Sequence, residues 1–520
     1  MTTAAETAVV LPPNSNQARG IARYAIDFMN GTIGEPDERV LDRTRQFFTD
    51  ANLCGISALA LGTNAPTVLR DEALRYRVDQ GVPVFGSTVS VAPEKAIAAN
   101  ASAVREWDSN GTNFGYNPAL PGHTAGEFGH NDFYAVPVAA AQIMNRDGAY
   151  ALRGMICLDE IRGRLSEVFS LKSYKIDHVV HGAIGSAATF GAMLGATEDQ
   201  IESAIGMVVA HYIPWRAIRA GKQLSDSKGA SAAISTEVAI LSMIRSMHGF
   251  VGPKDIFRNP EAIWRQFEPT NGDSPFDLVL SHSGDDFAVM GMHFKLGLYE
   301  HQSAGALQGL MTMLENNPQI LESDDTIAKI KIVAYEPAFG IIGDPAKRDP
   351  QTRQSADHSM VYIVGTTLRK AQELARSTGN TTLASDNDGF WKTLMLLPED
   401  YSHDAVMNAR TREIFDLIEF EHGGPEYDEK YPDGIPTSIV VTTKSGETFD
   451  SGLVMYPGGH ARNTTADLND ILATKFSRLG DLALSDAQPI IDRFNGIAEL
   501  DANGLKAIYD FDILDRGTFE

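Results

Sequence analysis

Cysteine and long apolar runs are the features that this sequence lacks most clearly. Its 520 residues contain two cysteines, Cys54 and Cys157, at no motif spacing. This scarcity excludes a disulfide framework and a zinc ribbon, and it favours a reducing compartment. No run of about 18 apolar residues occurs, so we expect no transmembrane helix. The first residues lack a basic segment followed by an apolar one, so we expect no signal peptide and predict a cytoplasmic protein.

Positive charge is also scarce. The chain has 44 Lys and Arg residues against 68 Asp and Glu residues, and its formal net charge is -24. An acidic protein repels phosphate backbones and anionic lipid head groups, which excludes nucleic acid and membrane surfaces as partners. A small anionic substrate would have to bind in a local basic pocket, against the charge of the whole protein.

Several catalytic motifs are missing as well. There is no phosphate-binding G-x-x-x-x-G-K-[ST], no G-x-S-x-G nucleophile turn and no H-E-x-x-H zinc helix. His178 and His181 are spaced i,i+3, but the sequence around them offers no clear third metal ligand, so we predict no metal site. His181 is better explained as a core histidine. Nothing in the chain requires an organic cofactor.

What the chain does have is one unusual stretch, from Trp107 to Asp132, that is rich in glycine and proline. These residues prevent a regular helix or strand. Acid, hydroxyl and imidazole groups lie close together in it, with four aromatic side chains that a solvated loop would not need. We interpret it as a partly buried loop that lines a site, rather than as an exposed connection. Its acid, hydroxyl and imidazole residues include Asp108, Thr112, His123, Glu127, His130 and Asp132.

The length of the chain suggests two domains, or three. A capping box, T-E-D-Q, begins a helix at Thr197. In an earlier helical segment Glu160 and Arg164 are spaced i,i+4, a pair that we expect on an exposed helix face. Apolar spacing typical of helices occurs at residues 19–30, 38–61, 92–106, 148–170, 197–213 and 228–248.

The pattern changes near Gly291. Residues 327–335 alternate as a strand does, and two strand-like segments flank a K-S-G turn near residue 445. After residue 457 the helical spacing returns. The first 16 residues have no periodic pattern, and we expect them to be disordered. We therefore predict a mainly α protein, with a large all-helical domain from residues 1–292 and 458–520 and a smaller inserted α+β lid domain from residues 293–457.

Cations gather in one segment of this acidic chain, which runs from Arg216 to Lys228. Lys228 stands at a predicted helix start and is followed by five small residues, which leave room for a ligand. A helix N-terminus flanked by cations attracts a carboxylate, so we predict a functional role for Lys228. For Arg216 and Lys222, exposure to solvent or salt bridges to the many acids explain the charge better.

Three histidines lie beside groups that could orient them or a substrate. His178 follows an acid and could act as a proton donor. His301 precedes Gln302, which could bind a carboxylate at a helix start. His358 follows Asp357 in an acid–imidazole pair that could equally be a helix N-cap.

Six motifs together resemble those of the MmgE/PrpD family. They are W-D-S-N-G-T, G-H-N-D, the Lys228 segment, F-K-L-G-L-Y-E-H-Q-S, S-A-D-H-S-M-V-Y-I-V and M-Y-P-G-G-H-A-R-N. They appear in family order between Arg19 and Phe494, nearly the whole chain. Each motif is weak alone, but six in order are specific for the family and not for one reaction. The resemblance implies a helical domain built from both chain ends, an inserted lid, a cofactor-free active site in the cleft and usually a homodimer.

The resemblance also implies roles for individual residues. Lys228 matches the family's active-site lysine and would neutralise the substrate carboxylate on which charge builds. Asp108 or His130 would take the proton, and His178 or His301 would protonate the leaving hydroxyl. The predicted catalytic residues are therefore Asp108, His130, His178, Lys228 and His301. The predicted substrate-binding residues are Thr112, Arg219, Gln302, His358 and His460.

Two departures from the family pattern leave the substrate open. The loop between Thr112 and His130 is longer than is typical and adds His123, and G-H-N-D replaces the G-H-P-S-D of the dehydratase. The first hypothesis is dehydration of 2-methylcitrate or a similar 2-hydroxy tricarboxylate. The alternatives are decarboxylation of cis-aconitate, epimerisation of an amino-dicarboxylate such as iminodisuccinate, and a catalytically silent sensor of tricarboxylates. The acid, imidazole and lysine groups argue against the sensor, because a binder needs cations but no base.

Overall fold

The fold is described from a computed structural model, for residues 7–116, 129–219 and 223–519; of Gly129 and His130 only the backbone is described. Helices dominate the described residues and the sheets are small, which confirms the prediction of a mainly α protein. The first ten α-helices are α1 (Gln17–Met29), α2 (Glu38–Ala60), α3 (Asn64–Ala73), α4 (Pro93–Glu106), α5 (Ala135–Ile143), α6 (Gly148–Val168), α7 (Val179–Met193), α8 (Glu198–His211), α9 (Asp226–Met247) and α10 (Ile263–Phe267).

The second half of the chain has shorter helices and the longest strands. Its helices are α11 (Ala304–Asn316), α12 (Arg353–Ala356), α13 (Met360–Thr378), α14 (Asn387–Thr393), α15 (His403–Val406), α16 (Ala409–Phe415), α17 (Pro425–Asp428), α18 (Leu468–Ala483), α19 (Gln488–Asn495) and α20 (Ala502–Lys506). The strands of the described residues are β1 (Ala8–Leu11), β2 (Glu35–Pro36), β3 (Arg77–Val82), β4 (Thr112–Asn113), β5 (Gly129–His130), β6 (Leu278–Ser281), β7 (Ser283–Gly284), β8 (Ile327–Ala334), β9 (Ile418–His422), β10 (Thr437–Thr443) and β11 (Thr448–Asp450).

Local sequence signals account for the start of the best-marked helix. Thr197 Oγ1 accepts the backbone N–H of Gln200 at 3.2 Å, and Gln200 Oε1 accepts the backbone N–H of Thr197 at 2.9 Å. This reciprocal pair is the predicted capping box, and it satisfies two backbone donors that the first turn of α8 leaves without partners.

Small residues allow the central helices to approach closely. A Cβ at Gly182 of α7 would overlap the ring of Phe133, and one at Gly185 would lie 3.0 Å from the carbonyl oxygen of Leu158 on α6. The helix α9 packs against α4, α7 and α8, and α2 packs against α4 and α18. Because α4 and α9 lie side by side, the end of α4 and the start of α9 meet, and this junction forms the candidate site.

The one larger sheet of the described residues has four strands in the order β11-β10-β8-β9. The pairs β11–β10 and β10–β8 are antiparallel and β8–β9 is parallel, with Ile332 opposite both Ile439 and Phe420. The predicted strand and hairpin are therefore confirmed. All four strands fall within the range predicted for the lid, and the helix α18 returns to pack on α2. The domain boundaries themselves stay a prediction.

Two sequence-based expectations are wrong. The pair Glu160–Arg164 exists, at 2.8 Å, but Glu160 is fully buried rather than on an exposed face. Its two oxygens accept the backbone N–H groups of Ser281 and Ala288, each at 2.7 Å, so a distant segment covers the helix. Residues 8–11 are not disordered but form β1, antiparallel to β6.

Within the described residues, no helix combines the length and the apolar character that crossing a bilayer would take.

Candidate active site

The stretch that begins at Trp107 is buried from residue 107 to residue 115. Trp107 donates its indole N–H to Ser57 Oγ at 3.0 Å. The carbonyl of Asp108 accepts the backbone N–H of Tyr299 at 2.9 Å. These bonds fix the turn after α4 against two distant parts of the chain. The prediction of a partly buried loop is confirmed for this part of the stretch.

Asp108 is the centre of a buried network of charges and is 1% exposed. Lys295 donates a hydrogen bond to its carboxylate, and Lys228 Nζ lies 3.3 Å from its Oδ2. Arg105, one turn earlier on α4, lies 3.4 Å from its Oδ1. His358 Nδ1 lies 3.1 Å from Oδ2. A single carboxylate therefore organises three cations and an imidazole.

Lys228 is the third residue of α9, and the prediction that it stands at a helix start is confirmed. Its Nζ lies 2.9 Å and 3.2 Å from the two carboxylate oxygens of Asp357, and the residue is 1% exposed. The small residues that follow, Gly229 and Ala230, are buried against α4. The lysine thus bridges Asp108 and Asp357.

The charges in this network control the pKa values of its acids and bases. Burial raises the pKa of Asp108, but three neighbouring cations outweigh it and hold the pKa well below its usual range. Burial also opposes ionisation of Asp357, yet Lys228 and His358 keep its pKa below the usual range. Burial lowers the pKa of Lys228, although both carboxylates oppose that change. A carboxylate held so firmly in its anionic form is a weak base, so Asp108 is better suited to orienting the lysines than to taking a proton.

His358 lies between two carboxylates. Its Nδ1 is 2.7 Å from Asp357 Oδ1 and 3.1 Å from Asp108 Oδ2. Ionised carboxylate oxygens only accept, so Nδ1 carries the proton and Nε2 keeps a lone pair in the neutral ring. Burial lowers the pKa of His358, which favours this neutral form. The N-cap of the next helix is Ser359, whose Oγ accepts the N–H of Tyr362 at 3.4 Å, so the segment from Asp357 to Ser359 supplies both the acid–imidazole pair and the predicted N-cap.

A small inner cavity of about 50 Å³ opens beside His358. Three of its wall residues are cations: Arg216, Arg219 and Lys347. Glu300, Gln302 and two isoleucines complete the wall. The volume is enough for a few water molecules. In a chain of net charge -24, this is a local basic pocket of the kind that an anionic substrate requires.

His178 lies behind one wall of the inner cavity and is 3% exposed. Its Nδ1 is 3.6 Å from Asp177 Oδ1. Asp177 also forms a salt bridge with Arg219, which donates a further hydrogen bond to Ser231 Oγ at 3.1 Å. The acid therefore connects His178 to a predicted substrate-binding arginine.

The other predicted histidines form a stack of imidazoles. The ring centroid of His293, a residue that sequence analysis missed, is 4.9 Å from that of His301 and 4.1 Å from that of His460. Thr112 pairs with His293 through two backbone hydrogen bonds of 3.0 and 2.7 Å. Burial lowers the pKa of His460 to about 4. Burial and the neighbouring imidazoles also lower the pKa of His293, so both rings are neutral at pH 7.

Four residues named in the sequence analysis are described only in part or not at all. The backbone of His130 pairs with Thr112 in the β4–β5 ladder, but its side chain is not described. His123, Glu127 and Lys222 lie outside the described residues. Among the described side chains, Asp108, Lys228 and His358 form one cluster, whereas Thr112, His301 and His460 belong to the imidazole stack.

Besides His293, sequence analysis left Lys295 and Asp357 out of the site. Lys295 is 1% exposed and stands between Phe294 and Leu296, which are fully buried. A lysine between two apolar residues was the available signal, since solvent-facing lysines rarely have such neighbours. Asp357 was visible only as the neighbour of His358. The sequence could not show that Lys295 contacts Asp108 or that Asp357 contacts Lys228.

Asp108, Asp357 and His358 could also act as metal ligands. One ligand atom from each lies within 4.8 Å of the others, a grouping that sequence spacing did not reveal. Lys228 Nζ contacts both carboxylates of this group, at 3.3 Å and 2.9 Å. Its ammonium group already supplies the cation that two buried carboxylates need, and a divalent ion beside it would be repelled. The donor set therefore fits an ammonium ion better than a metal.

Metal removal is expected to leave the protein unchanged. Treatment with a chelator should alter neither the melting temperature nor the turnover of the substrate, because Lys228 neutralises the two carboxylates. The measurement is metal content by atomic emission, with kcat before and after chelation. About one metal ion per chain, with activity that is lost on chelation and restored by that ion, would contradict this expectation.

Comparison with known proteins identifies the family. Residues 19–274 match the family model described as the MmgE/PrpD N-terminal domain. The 2-methylcitrate dehydratase of Escherichia coli (strain K12) is 24% identical over 399 residues, which cover 74% of this chain and 75% of the relative. The probable 2-methylcitrate dehydratase of Saccharomyces cerevisiae is 22% identical, with 84% and 81% covered. Alkylcitrate dehydratase phiI of a fungal species is 20% identical, with 87% and 86% covered. The resemblance seen in the six motifs is confirmed, because residues 19–274 match the MmgE/PrpD family.

Proposed function

We propose that this protein is a cofactor-independent hydro-lyase that dehydrates a small 2-hydroxy tricarboxylate, 2-methylcitrate or a close analogue. One observation carries the proposal: the imidazole of His358 faces a cavity whose wall bears three cations, in a protein of net charge -24. Dehydration beside a carboxylate needs a base for a weakly acidic C–H bond and positive charge where negative charge builds. The dehydratase names of the relatives support the same reaction class.

In this proposal His358 takes the proton through Nε2. Asp357 accepts the Nδ1–H bond at 2.7 Å, orients the ring and stabilises the imidazolium that forms. Lys228 and Lys295 stabilise the negative charge on the carboxylate next to the reacting carbon. Asp108 contacts both ammonium groups and fixes their positions.

The remaining groups bind the substrate and release the hydroxyl. Arg216, Arg219 and Lys347 bind the other carboxylates from the cavity wall. His178 protonates the leaving hydroxyl, since it lies beside the cavity wall and its Nδ1 is 3.6 Å from Asp177, which orients the ring. His301 is the less suitable donor, because its ring packs on those of His293 and Phe114.

One assay separates this reaction from its alternatives. The purified protein is incubated with 2-methylcitrate, cis-aconitate and iminodisuccinate, and the products are followed by NMR. Loss of the hydroxyl-bearing carbon signal with a new vinylic signal supports dehydration. Release of carbon dioxide from cis-aconitate, or inversion at the substituted carbon of iminodisuccinate, would replace dehydration by decarboxylation or epimerisation. Saturable binding without any product would support the silent sensor.

The proposed base predicts a specific pH dependence. The pKa of His358 is lowered by burial, so the neutral ring predominates at pH 7, and kcat/KM should fall only as the pH drops below about 6.5. His358→Gln should lower kcat by about 10²–10⁴-fold and remove this acid limb, because glutamine cannot take the proton. The exposed His403 provides the matched control, and His403→Gln should leave the profile unchanged. An unchanged acid limb in His358→Gln would contradict the assignment.

We also infer that the protein is a homodimer. Within each chain, we infer that the helical domain and the lid are divided at residues 292/293 and 457/458. The return of α18 to α2 and the sheet between them in sequence support this division. Light scattering should give twice the 56.4 kDa mass of one chain.

A further inference from the structure

A second, outer cavity of about 590 Å³ lies next to the inner one. The two cavities share Arg216 and Ile341 in their walls. Lys172, Lys175 and two serines contribute to the outer wall, and Glu336 is its one acid among the described lining residues. The outer cavity is over ten times as large as the inner one, so a whole tricarboxylate fits there before it reaches His358.

Backbone pairing sets Lys175 beside Arg216. The N–H of Arg216 donates to the carbonyl of Lys175 at 2.8 Å, and Ile176 forms an isolated bridge with Trp215. The N–H of Asp177 donates to the carbonyl of Pro214 at 2.8 Å. Two segments distant in sequence therefore run side by side at the mouth of the inner cavity. The nearness of the two cations depends on this backbone ladder and not on side-chain flexibility.

Lys175 adopts an unusual backbone conformation. Its φ is 61° and its ψ is 24°, the left-handed region that glycine and asparagine adopt more easily than lysine. Its N–H donates to the carbonyl of Lys172 at 3.1 Å, which holds the turn. Its side chain is exposed. A strained lysine whose side chain makes the wall of a cavity is the kind of outlier that points to function.

The charged residues that line the outer cavity are mostly positive, opposite in sign to the net charge of the whole protein. Three cations, Lys172, Lys175 and Arg216, line the outer cavity with one acid, Glu336, among the described lining residues, whereas the whole chain carries a net charge of -24. A bare acidic surface would repel a trivalent anion. A cleft lined by the opposite sign concentrates such an anion and raises its association rate.

We propose that Lys172, Lys175 and Arg216 form an outer carboxylate-binding site, which captures the tricarboxylate before its reacting end enters the inner cavity. The identity of the ligand rests on the proposed function. The site itself rests on the shared wall, the backbone ladder and the local charge. It acts on the association rate, and it is distinct from the groups that perform chemistry.

The test uses tricarballylate, a tricarboxylate without a hydroxyl group to lose. Trp215 is 55% exposed and precedes Arg216, while the other three tryptophans are buried, so binding is followed by the change in tryptophan fluorescence after stopped-flow mixing. Lys172→Ala and Lys175→Asn should each lower the association rate on the order of threefold in 0.1 M salt. The difference from the unmodified protein should vanish in 1 M salt, where the screening length is about 3 Å.

The variants are chosen so that misfolding cannot mimic the result. Asparagine tolerates the left-handed conformation, so Lys175→Asn should melt no lower than the unmodified protein. Lys444→Ala is the matched control, because Lys444 bonds to Thr326 at the far end of β8, roughly 25 Å along the strand from Glu336. This variant should keep the normal association rate.

The outcomes for the outer site and for the proposed function are separate. Unchanged association rates in Lys172→Ala and Lys175→Asn, an equal fall in Lys444→Ala, or no binding of tricarballylate at all would each overturn the outer site. Failure to dehydrate 2-methylcitrate would overturn the proposed function. The association rates would still decide whether the mouth captures tricarboxylates.

Discussion

Replacing Lys228 by alanine is expected to lower kcat about a hundredfold. Its ammonium group is 1% exposed and lies 3.3 Å from Asp108 and 2.9 Å from Asp357. Charge stabilisation is strongest in such a buried, preorganised position. Loss of one charge partner of this kind costs on the order of 3 kcal/mol in the transition state, which corresponds to about a hundredfold in rate. The effect should appear mainly in kcat, because the charge builds only in the transition state.

The same substitution is expected to lower stability. From the sequence alone, removing one cation from an acidic chain should not disturb folding. The structure changes this expectation, since Lys228 is buried between two carboxylates. Removing one partner of a buried ion pair costs on the order of 3–5 kcal/mol of folding free energy. We expect the lower end of this range, because Asp108 keeps Arg105 and Lys295.

Two further variants separate catalysis from folding. Lys228→Arg should restore little turnover, because a planar guanidinium cannot take the position of an ammonium group between two carboxylates. Lys95 is the matched control on the same helix pair: it lies on α4 and contacts Glu237 of α9 at 2.6 Å. Lys95→Met should lower the melting temperature and leave kcat unchanged. Near-normal kcat in folded Lys228→Ala would show that the active site lies elsewhere.

The position of Lys228 was predictable because its signals are local. A run of small residues after a lysine at a helix start is visible in a window of ten residues, and the structure agrees with the helix start. The small residues were expected to leave room for a ligand, but they pack against α4 instead. The Thr197 capping box is local in the same sense. Local signals of this kind set helix boundaries and identify single side chains that a ligand could reach.

The exposure of the Glu160–Arg164 pair was predicted wrongly because burial is decided at long range. The i,i+4 spacing is correct, but the backbone donors at Ser281 and Ala288 that cover Glu160 come from more than 100 residues away. Lys295 was missed for the same reason, since its partner Asp108 is distant in sequence. A single sequence contains the groups of this site but not their pairing.

Lys475 is the most extreme example of such a long-range group. It lies on α18, near the C-terminal end of the chain, and is fully buried. Its Nζ is 2.6 Å from Asp50 Oδ1 and donates to the carbonyls of Ser109 and Lys295 at 2.7 and 2.8 Å. These carbonyls belong to the residue after Asp108 and to the lysine that pairs with Asp108. We infer that Lys475 is a positioning residue for the charge network.

The variant Lys475→Met is expected to lose both stability and activity. Burial already raises the pKa of Asp50, and without Lys475 its carboxyl group would be buried with no cation at this distance. Breaking such a pair costs on the order of 3–5 kcal/mol of folding free energy. The two carbonyls would lose their donor, and a displacement of the reacting groups by about 1 Å can lower kcat on the order of a hundredfold.

The double variant Asp50→Leu/Lys475→Met distinguishes a positioning role from a structural one. Replacing a buried ion pair by apolar residues of similar volume is often neutral for stability, so the melting temperature should recover. The carbonyls of Ser109 and Lys295 still lack their donor, so kcat should stay low. The measurements are thermal melting, kcat and KM for both variants on the substrate identified by NMR. If the double variant recovers turnover together with stability, Lys475 supports the fold alone, and α18 has no part in aligning Asp108 with Lys295.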